Sequence, residues 1–174
     1  NPWVQKRIEM GRTEPFNLPY LQIGNEERID LNFAARFNNI ANYIWEKDED
    51  IILVAGDFDY KEIIRDPYNF TGAASGITTL EDHKRILDHA TLKDREVWFD
   101  IHFWTNNQFE AMNFFNAGVS LYNALESICP DANFKLAVFE LNAHHHIFER
   151  ALANAYSINR AERLSDMFAV MCSA

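Results

Sequence analysis

The stretch 134–140, FKLAVFE, is a short apolar run that ends in a glutamate, and the stretch 18–26, LPYLQIGNE, follows the same plan. Short apolar runs bounded by polar or turn-forming residues are typical of buried β-strands. Each run therefore predicts a strand that carries a carboxylate to its C-terminal end. In α/β barrels this end of the strands forms the face on which active sites are built. Glu26 and Glu140 are accordingly the first candidates for functional residues.

Predicted helices alternate with predicted strands along the rest of the chain. Further strands are predicted at 51–56, 97–104 and, incomplete, at 167–174, and helices at 31–47, 80–92, 109–128 and 147–164. This alternation predicts an α/β fold with a parallel sheet and right-handed crossovers. A (β/α)8 barrel needs eight strands and about 250 residues. Five strands leave two interpretations: the second half of a longer barrel, or an open doubly wound sheet.

Composition limits the classes of protein that the chain can represent. With 174 residues, 48% of them hydrophobic, the chain is predicted to form a single globular domain. A net charge of −10 argues against nucleic acid or an anionic membrane as a partner. The charge is compatible with a neutral polymer such as a polysaccharide. No G-x-G-x-x-G or Walker loop follows a strand, which weakens a nucleotide-binding interpretation. Cys129 and Cys172 are predicted to be free, buried thiols.

The two glutamates have the chemistry and the spacing of a glycoside hydrolase site. Glycoside hydrolysis uses one carboxyl group as acid and a second as nucleophile or base. Glu26 and Glu140 lie three βα units apart, so in an eight-stranded barrel they end strands on opposing parts of the ring. A separation of about 5–5.5 Å would give retention of configuration, and about 6.5–9.5 Å would give inversion.

Several segments resemble a known family of enzymes. The segment 23–27, IGNEE, resembles the Asn-Glu end of the fourth barrel strand in clan A glycoside hydrolases. The longer segment 11–27, GRTEPFNLPYLQIGNEE, is similar to glycoside hydrolase family 51, the α-L-arabinofuranosidases. The segment 48–57, DEDIILVAGD, resembles their fifth strand, and the segment 159–164, NRAERL, resembles the stretch before their eighth strand.

The resemblance implies a fold and a set of roles. The chain would supply roughly strands 4 to 8 of a (β/α)8 TIM barrel, so that residues 1–174 form a partial catalytic domain. Glu26 would be the general acid/base, Glu140 the nucleophile, and Asn25 a donor to the sugar 2-hydroxyl. The substrate would be an arabinose-containing polysaccharide or oligosaccharide, with no cofactor. Many family members have Asp-Glu-Trp at the nucleophile, where this chain has 139–142, FELN.

Two residues that end the third predicted strand are further candidates. Related clan A enzymes often show His-x-Tyr or His-x-Trp there, and this chain has His102 and Trp104. His102 could hydrogen-bond the acid or the nucleophile, and Trp104 could offer an aromatic face to the sugar. Glu27 points the other way along its strand and is predicted to be structural. The alternative for a strand-end histidine is a satisfied residue of the core.

The histidine triplet 144–146 follows the Glu140 strand. Adjacent side chains diverge around a regular backbone, so the triplet does not predict a metal site. One of the three could line a subsite, and the others are predicted to be solvated. The chain shows no targeting segment, so a secreted and a cytoplasmic location both stay open. A companion segment or a second copy of the chain would have to complete the barrel.

Other activities remain compatible with the same residues. Another clan A glycosidase, such as an endo-β-1,4-glucanase or a xylanase, would use the same pair of glutamates. A non-catalytic carbohydrate-binding fragment is the alternative of a different class. Assays with arabinofuranosides and with β-1,4-glucan distinguish these three possibilities.

Overall fold

The computed structural model describes residues 1–15, 17–145 and 147–173. Five helices and six strands are formed in this part of the chain. In chain order they are α1 (Pro2–Glu9), β1 (Tyr20–Ile23), α2 (Leu31–Trp45), β2 (Ile52–Gly56), α3 (Glu81–Leu92), β3 (Val97–Asp100), β4 (Phe103–Trp104), α4 (Gln108–Ile128), β5 (Phe134–Asn142), α5 (Phe148–Arg163) and β6 (Phe168–Ser173).

The strands form one sheet, and every pair of named strands in the described residues is parallel. The order is β1-β2-β3-β5, and both β4 and β6 also pair with β5. Strands β1 and β6 are the outer strands of the described sheet. This mixed α/β architecture confirms the predicted parallel sheet and is compatible with a fragment of a (β/α)8 barrel. The parallel arrangement brings the C-terminal ends of all strands to one edge.

The central strands carry buried apolar side chains on both faces, as is typical of parallel sheets. Leu53 and Ala55 of β2 join the main core beneath the helices, whereas Val54 faces the other side and packs with Trp98 and Ala137. Helix α2 buries Phe33, Phe37 and Trp45 against the sheet, which its apolar spacing predicts. No helix in the described ranges is long and apolar enough to span a membrane.

The structure corrects the sequence-based prediction in three places. The predicted strand 97–104 is interrupted, because residues 101 and 102 lie between β3 and β4 although both segments pair with β5. Helix α1 was not predicted, since it buries no residue and so lacks a strong apolar stripe. Both cysteines are free as predicted, but Cys172 is exposed rather than buried.

Candidate active site

Glu26 lies on a tight turn just beyond β1. Gly24 and Glu26 both have positive φ angles, of 81° and 51°. The turn packs directly on Gly56, the last residue of β2, and the backbone N–H of Glu27 donates to the Gly56 carbonyl at 2.9 Å. A left-handed conformation is unusual for a residue with a side chain and is often found at functional sites. This turn aims the Glu26 carboxylate toward the ends of the neighbouring strands.

Glu140 reaches the same place from within β5. Its side chain is one-third exposed. The amide of Asn142, two residues along on the same face of the strand, lies 3.4 Å from Glu140 Oε2 and donates to it. Since β5 pairs with β3, β4 and β6, Glu140 is held on the best-supported strand of the sheet.

His102 joins the two glutamates at the break between β3 and β4. Its side chain is fully buried, and Nδ1 lies 3.0 Å from Glu26 Oε1 and 3.8 Å from Glu140 Oε2. On the other side of the ring, Nε2 lies 3.1 Å from Asp100 Oδ2. His102 and Asp100, two residues apart, meet through their side chains at this break.

Asp100 is a buried carboxylate that holds this arrangement together. Its Oδ1 accepts a hydrogen bond from the backbone N–H of Phe139 at 2.8 Å, directly before Glu140. Its Oδ2 accepts from Gln22 Nε2 at 3.0 Å, and the same Gln22 amide donates to the Gly24 carbonyl. Asp100 thus links the His102 ring to both the turn of Glu26 and the strand of Glu140.

His102 is charged at neutral pH in this environment. Burial lowers the pKa of its imidazole, but the hydrogen bond to Asp100, the charge of Asp100, the hydrogen bond to Glu26 and the charge of Glu140 outweigh burial and raise the pKa to about 9. Both ring nitrogens then carry protons, so Nδ1 donates to Glu26 and Nε2 donates to Asp100.

The other predicted site residues lie around this centre. Asn25 is exposed on the turn beside Glu26. Trp104 is partly buried, and the ring of His144 stacks on it with centroids 5.0 Å apart and an interplanar angle of 24°. His145 is exposed, as expected for a solvated residue, and His146 lies outside the described residues. Glu27 faces Arg36 at 4.0 Å, which agrees with a structural role.

Sequence patterns missed several residues that the site uses. Asp100 had a usable signal, because an aspartate inside an apolar strand needs a polar partner. Gly56 and Gln22 had no such signal in the sequence, because their roles depend on which strands are neighbours in the sheet. Asp59, a buried carboxylate in the loop after β2, was likewise not predicted.

The centre also has the composition of a metal site. Glu26, His102 and Glu140 each offer one ligand atom, and these atoms lie within 4.8 Å of one another. A histidine ligand must be deprotonated at the ligating nitrogen. A metal ion here would therefore have to displace the proton that His102 Nδ1 donates to Glu26. Without a metal ion, the arrangement can transfer a proton and stabilise carboxylate charge.

Two glutamates converge at the C-terminal edge of a parallel α/β sheet, an arrangement that suits the class of glycoside hydrolases. The family follows from comparison: residues 1–124 match the family described as Alpha-L-arabinofuranosidase 1 domain. Because the match covers more than half of the chain, the chain belongs to this family, and the resemblance noted in the sequence is confirmed. No curated protein matches the chain.

The extent of the match separates two parts of the site. Asn25, Glu26, His102 and Trp104 lie within the matched residues, whereas Glu140 lies beyond them. The family assignment supports a glycoside hydrolase, arabinofuranosidase-related function for the chain. The position of Glu140 follows from the geometry of β5 and not from the family match.

Proposed function

We propose that this protein is a retaining α-L-arabinofuranosidase, which releases terminal arabinofuranosyl residues from arabinan or arabinoxylan by double displacement. The observation that carries the proposal is the distance between the glutamates. One carboxylate oxygen of Glu26 and one of Glu140 lie within 4.8 Å of each other. Retaining enzymes separate their carboxyl groups by about 5–5.5 Å, while inverting enzymes need about 6.5–9.5 Å to admit a water molecule.

In the first step Glu140 attacks the anomeric carbon, and the bond from that carbon to the leaving oxygen breaks. Glu26 gives its proton to the leaving oxygen, so the departing alcohol is neutral. In the second step Glu26 takes a proton from water, whose oxygen attacks the anomeric carbon and displaces the Glu140 carboxylate. Glu26 is thereby reprotonated and Glu140 is returned as an anion.

His102 fits a supporting role in both steps. Its protonated ring lies 3.8 Å from Glu140 Oε2, which suits a nucleophile that must be anionic. Its hydrogen bond to Glu26 fixes the orientation of the acid/base. Asn25, exposed beside Glu26, is proposed to donate to the sugar 2-hydroxyl, and Trp104 to contact the sugar ring.

We further propose that the chain forms strands 4 to 8 of a (β/α)8 barrel, with residues 1–174 as a partial catalytic domain. The parallel order of the strands and the helices between them support this interpretation. Strands β1 and β6 would then pair with strands from a companion segment or a second copy of the chain.

The proposal is tested by the hydrolysis of 4-nitrophenyl α-L-arabinofuranoside. Glu140→Ala is expected to lower kcat by at least about 10⁴-fold, because it removes the group that forms the covalent intermediate. Glu27→Gln is the matched control, since this neighbouring glutamate faces Arg36 rather than the centre, and it is expected to retain activity. Proton NMR of the first-formed sugar is expected to show retained configuration.

Other outcomes point to the alternatives. Hydrolysis of β-1,4-glucan but not of the arabinofuranoside would contradict the family-level specificity and favour another clan A glycosidase. Unchanged turnover in Glu140→Ala would contradict the mechanism. Sugar binding by a wild-type protein that never turns over any substrate would favour a non-catalytic carbohydrate-binding fragment.

A further inference from the structure

A buried cluster of three polar side chains, Asp57, Tyr60 and His83, lies at the end of β2 and has no role in the mechanism above. Asp57 and His83 are fully buried, and Tyr60 is only 3% exposed. The Tyr60 hydroxyl donates to Asp57 Oδ2 at 2.8 Å, and His83 Nε2 lies 2.8 Å from the same oxygen. The carboxylate accepts from both groups, with the ring proton of His83 on Nε2. His83 belongs to α3 and its ring packs on Phe99 of β3, with centroids 5.0 Å apart.

Tyr60 is held in place by the loop after β2. It pairs with Ala73 in an antiparallel bridge, and the carbonyl of Asp59 accepts from the backbone N–H of Ala74 at 2.9 Å. Burial, the charge of Asp57 and the hydrogen bond to Asp57 raise the pKa of Tyr60 well above its usual value, so its hydroxyl remains a donor. Asp57 is therefore held from two sides, by this loop and by α3.

The two chain neighbours of Asp57 both contact the active centre. Gly56 lies against the turn that carries Glu26. The ring of Phe58 lies at 87° to the ring of His102, with centroids 6.2 Å apart, a separation typical of interacting aromatic pairs. The backbone N–H of Phe58 donates to Asp57 Oδ1 at 2.8 Å. One carboxylate thus joins the buried cluster to both contacts with the centre.

Phe58 also covers His102 on its open side. Phe58 lines a cleft of about 650 Å³, whereas His102 does not line it and is fully buried. His102 in turn contacts Glu26 and Glu140. A shift of the Phe58 ring would therefore change the surroundings of the group that lies between the two carboxylates, and water admitted there would weaken their interactions with His102.

Stability alone does not require a cluster of this kind. A carboxylate that leaves water loses its hydration, and apolar side chains of similar volume often stabilise a core at least as well as a buried ionic group. A fully hydrogen-bonded polar network instead restricts the segment that it holds to one arrangement. The cluster is therefore suited to fixing the position of the end of β2.

We propose that Asp57 is a positioning residue that acts on the active centre through its two chain neighbours, Gly56 and Phe58. Its carboxylate keeps Gly56 against the turn of Glu26 and keeps the Phe58 ring against His102. Where it concerns turnover, the inference rests on the proposed function, because Glu26 is taken there as the acid/base. The placement of the Phe58 ring is a structural effect that can be measured without turnover.

Tyr60→Phe tests the proposal, because it removes one hydrogen bond to Asp57 and changes neither chain neighbour. Its kcat on an alkyl arabinofuranoside is expected to fall about tenfold with KM nearly unchanged, because small displacements of catalytic groups lower the rate of the chemical step. Tyr122→Phe is the matched control. It removes the hydroxyl of a partly buried tyrosine that stacks on Phe134, at the opposite end of β5 from the active centre, and it is expected to leave kcat unchanged.

Two substitutions of His83 separate its hydrogen bond from its packing. His83 Nδ1 has no hydrogen-bond partner within the described part of the chain, so these variants test the contacts of Nε2. His83→Leu cannot donate to Asp57 and is expected to lower kcat about tenfold. His83→Gln offers an amide N–H in place of Nε2–H and is expected to restore most of the loss. Equal losses in both variants would assign the effect to packing and would contradict the proposal.

NMR of the His102 ring protons supplies the readout that does not depend on turnover. The ring current of Phe58 shifts these resonances, and Phe58→Leu identifies the size and direction of that shift. Tyr60→Phe is expected to move the His102 resonances in the same direction as Phe58→Leu, whereas Tyr122→Phe is expected to leave them in place. A lower Tm without a displaced ring would not produce this change.

The outcomes distinguish this inference from the proposed function. Unmoved His102 resonances in a folded Tyr60→Phe variant would overturn the inference, whatever the change in Tm, as would an equal fall of kcat in Tyr122→Phe. A wild-type protein that hydrolyses no arabinofuranoside would contradict the proposed function, and the NMR comparison then decides the inference alone. A shift in Tyr60→Phe that is absent from Tyr122→Phe would support it.

Discussion

Replacement of Gly56 by alanine is the sharpest test of how the acid/base is positioned. An ideal Cβ on this residue would lie 2.3 Å from the Gly24 carbonyl oxygen, 2.5 Å from the Gly24 carbonyl carbon and 2.8 Å from the Asn25 nitrogen. All three are backbone atoms, so no side-chain rotation relieves the contact. Gly56 itself has no positive φ, and alanine is excluded there by space alone.

The size of the displacement follows from these distances. Unstrained contacts between heavy atoms lie at about 3.5 Å, so the turn that carries Glu26 must move by about 1 Å. A shift of that size would lengthen the 3.0 Å bond between His102 and Glu26 beyond hydrogen-bond range. Misplacement of a catalytic group by about 1 Å can cost about 100-fold in rate. The expected folding cost of the overpacking is about 1–3 kcal/mol.

Leaving-group dependence is the readout that separates mispositioning from general damage. In the proposed mechanism Glu26 protonates the leaving oxygen, so Gly56→Ala is expected to lower kcat/KM about 100-fold for an alkyl or sugar arabinofuranoside. The loss is expected to be much smaller for a dinitrophenyl arabinofuranoside, whose leaving group needs little protonation. Gly11→Ala is the control for a general loss of stability. It strains a residue with a positive φ of 87°, but no atom lies within 4 Å of the added methyl group.

Two results would refute this reasoning. A folded Gly56→Ala variant with wild-type kcat/KM on the alkyl substrate would show that contact with Gly56 does not position the acid/base. An equal fall on both substrates, matched by Gly11→Ala, would indicate a loss of stability rather than a displaced carboxyl group.

The remaining predictions concern the buried histidine. Because the folded-state pKa of His102 is raised from 6.5 to about 9, its stabilising effect is complete below about pH 6.5 and is lost as the pH rises through about 9. The unfolding free energy of the wild type is therefore expected to fall by about 3 kcal/mol across that window. The unfolding free energy of His102→Gln is expected to stay flat over the same pH range. If urea titrations give parallel curves of unfolding free energy against pH for the two proteins, the prediction is wrong. Asp100→Asn removes the charge that most favours the imidazolium, so the NMR titration of His102 is expected to move to lower pH, and an unmoved titration would assign the high pKa to the glutamates instead.

The strands and most helices were predictable because their signals are local. The apolar run of β2 and the helical spacing of α2 predict these elements to within two residues. The break at residues 101 and 102 was not predictable, since Ile101 and Phe103 favour a continuous strand. At the break, the side chain of Asp100 contacts His102 and the partners contributed by β1 and β5.

The same distinction applies to the site. Glu26, Glu140 and His102 could be predicted because each lies at or near the end of an apolar run that predicts a strand, and parallel strands bring those ends together. Gly56 could not, because its role depends on the contact between the β1 turn and the end of β2. Asp59 lies in a long loop whose path the sequence does not specify. The roles of Gly56 and Asp59 both depend on contacts between segments that are distant in the sequence.

The arrangement around His102 is difficult to explain as a requirement of the fold alone. A fully buried imidazolium needs compensating charge, and here Asp100 supplies it from the adjacent β3. One buried carboxylate would satisfy a structural cation, yet Glu26 and Glu140 also approach the ring from β1 and β5. Each keeps about one-third of its side chain exposed, so a substrate can reach both. Carboxyl groups held this close favour a function over stability. The family match ends at residue 124, so the place of Glu140 in this centre is supported by its contact with His102 and not by that match.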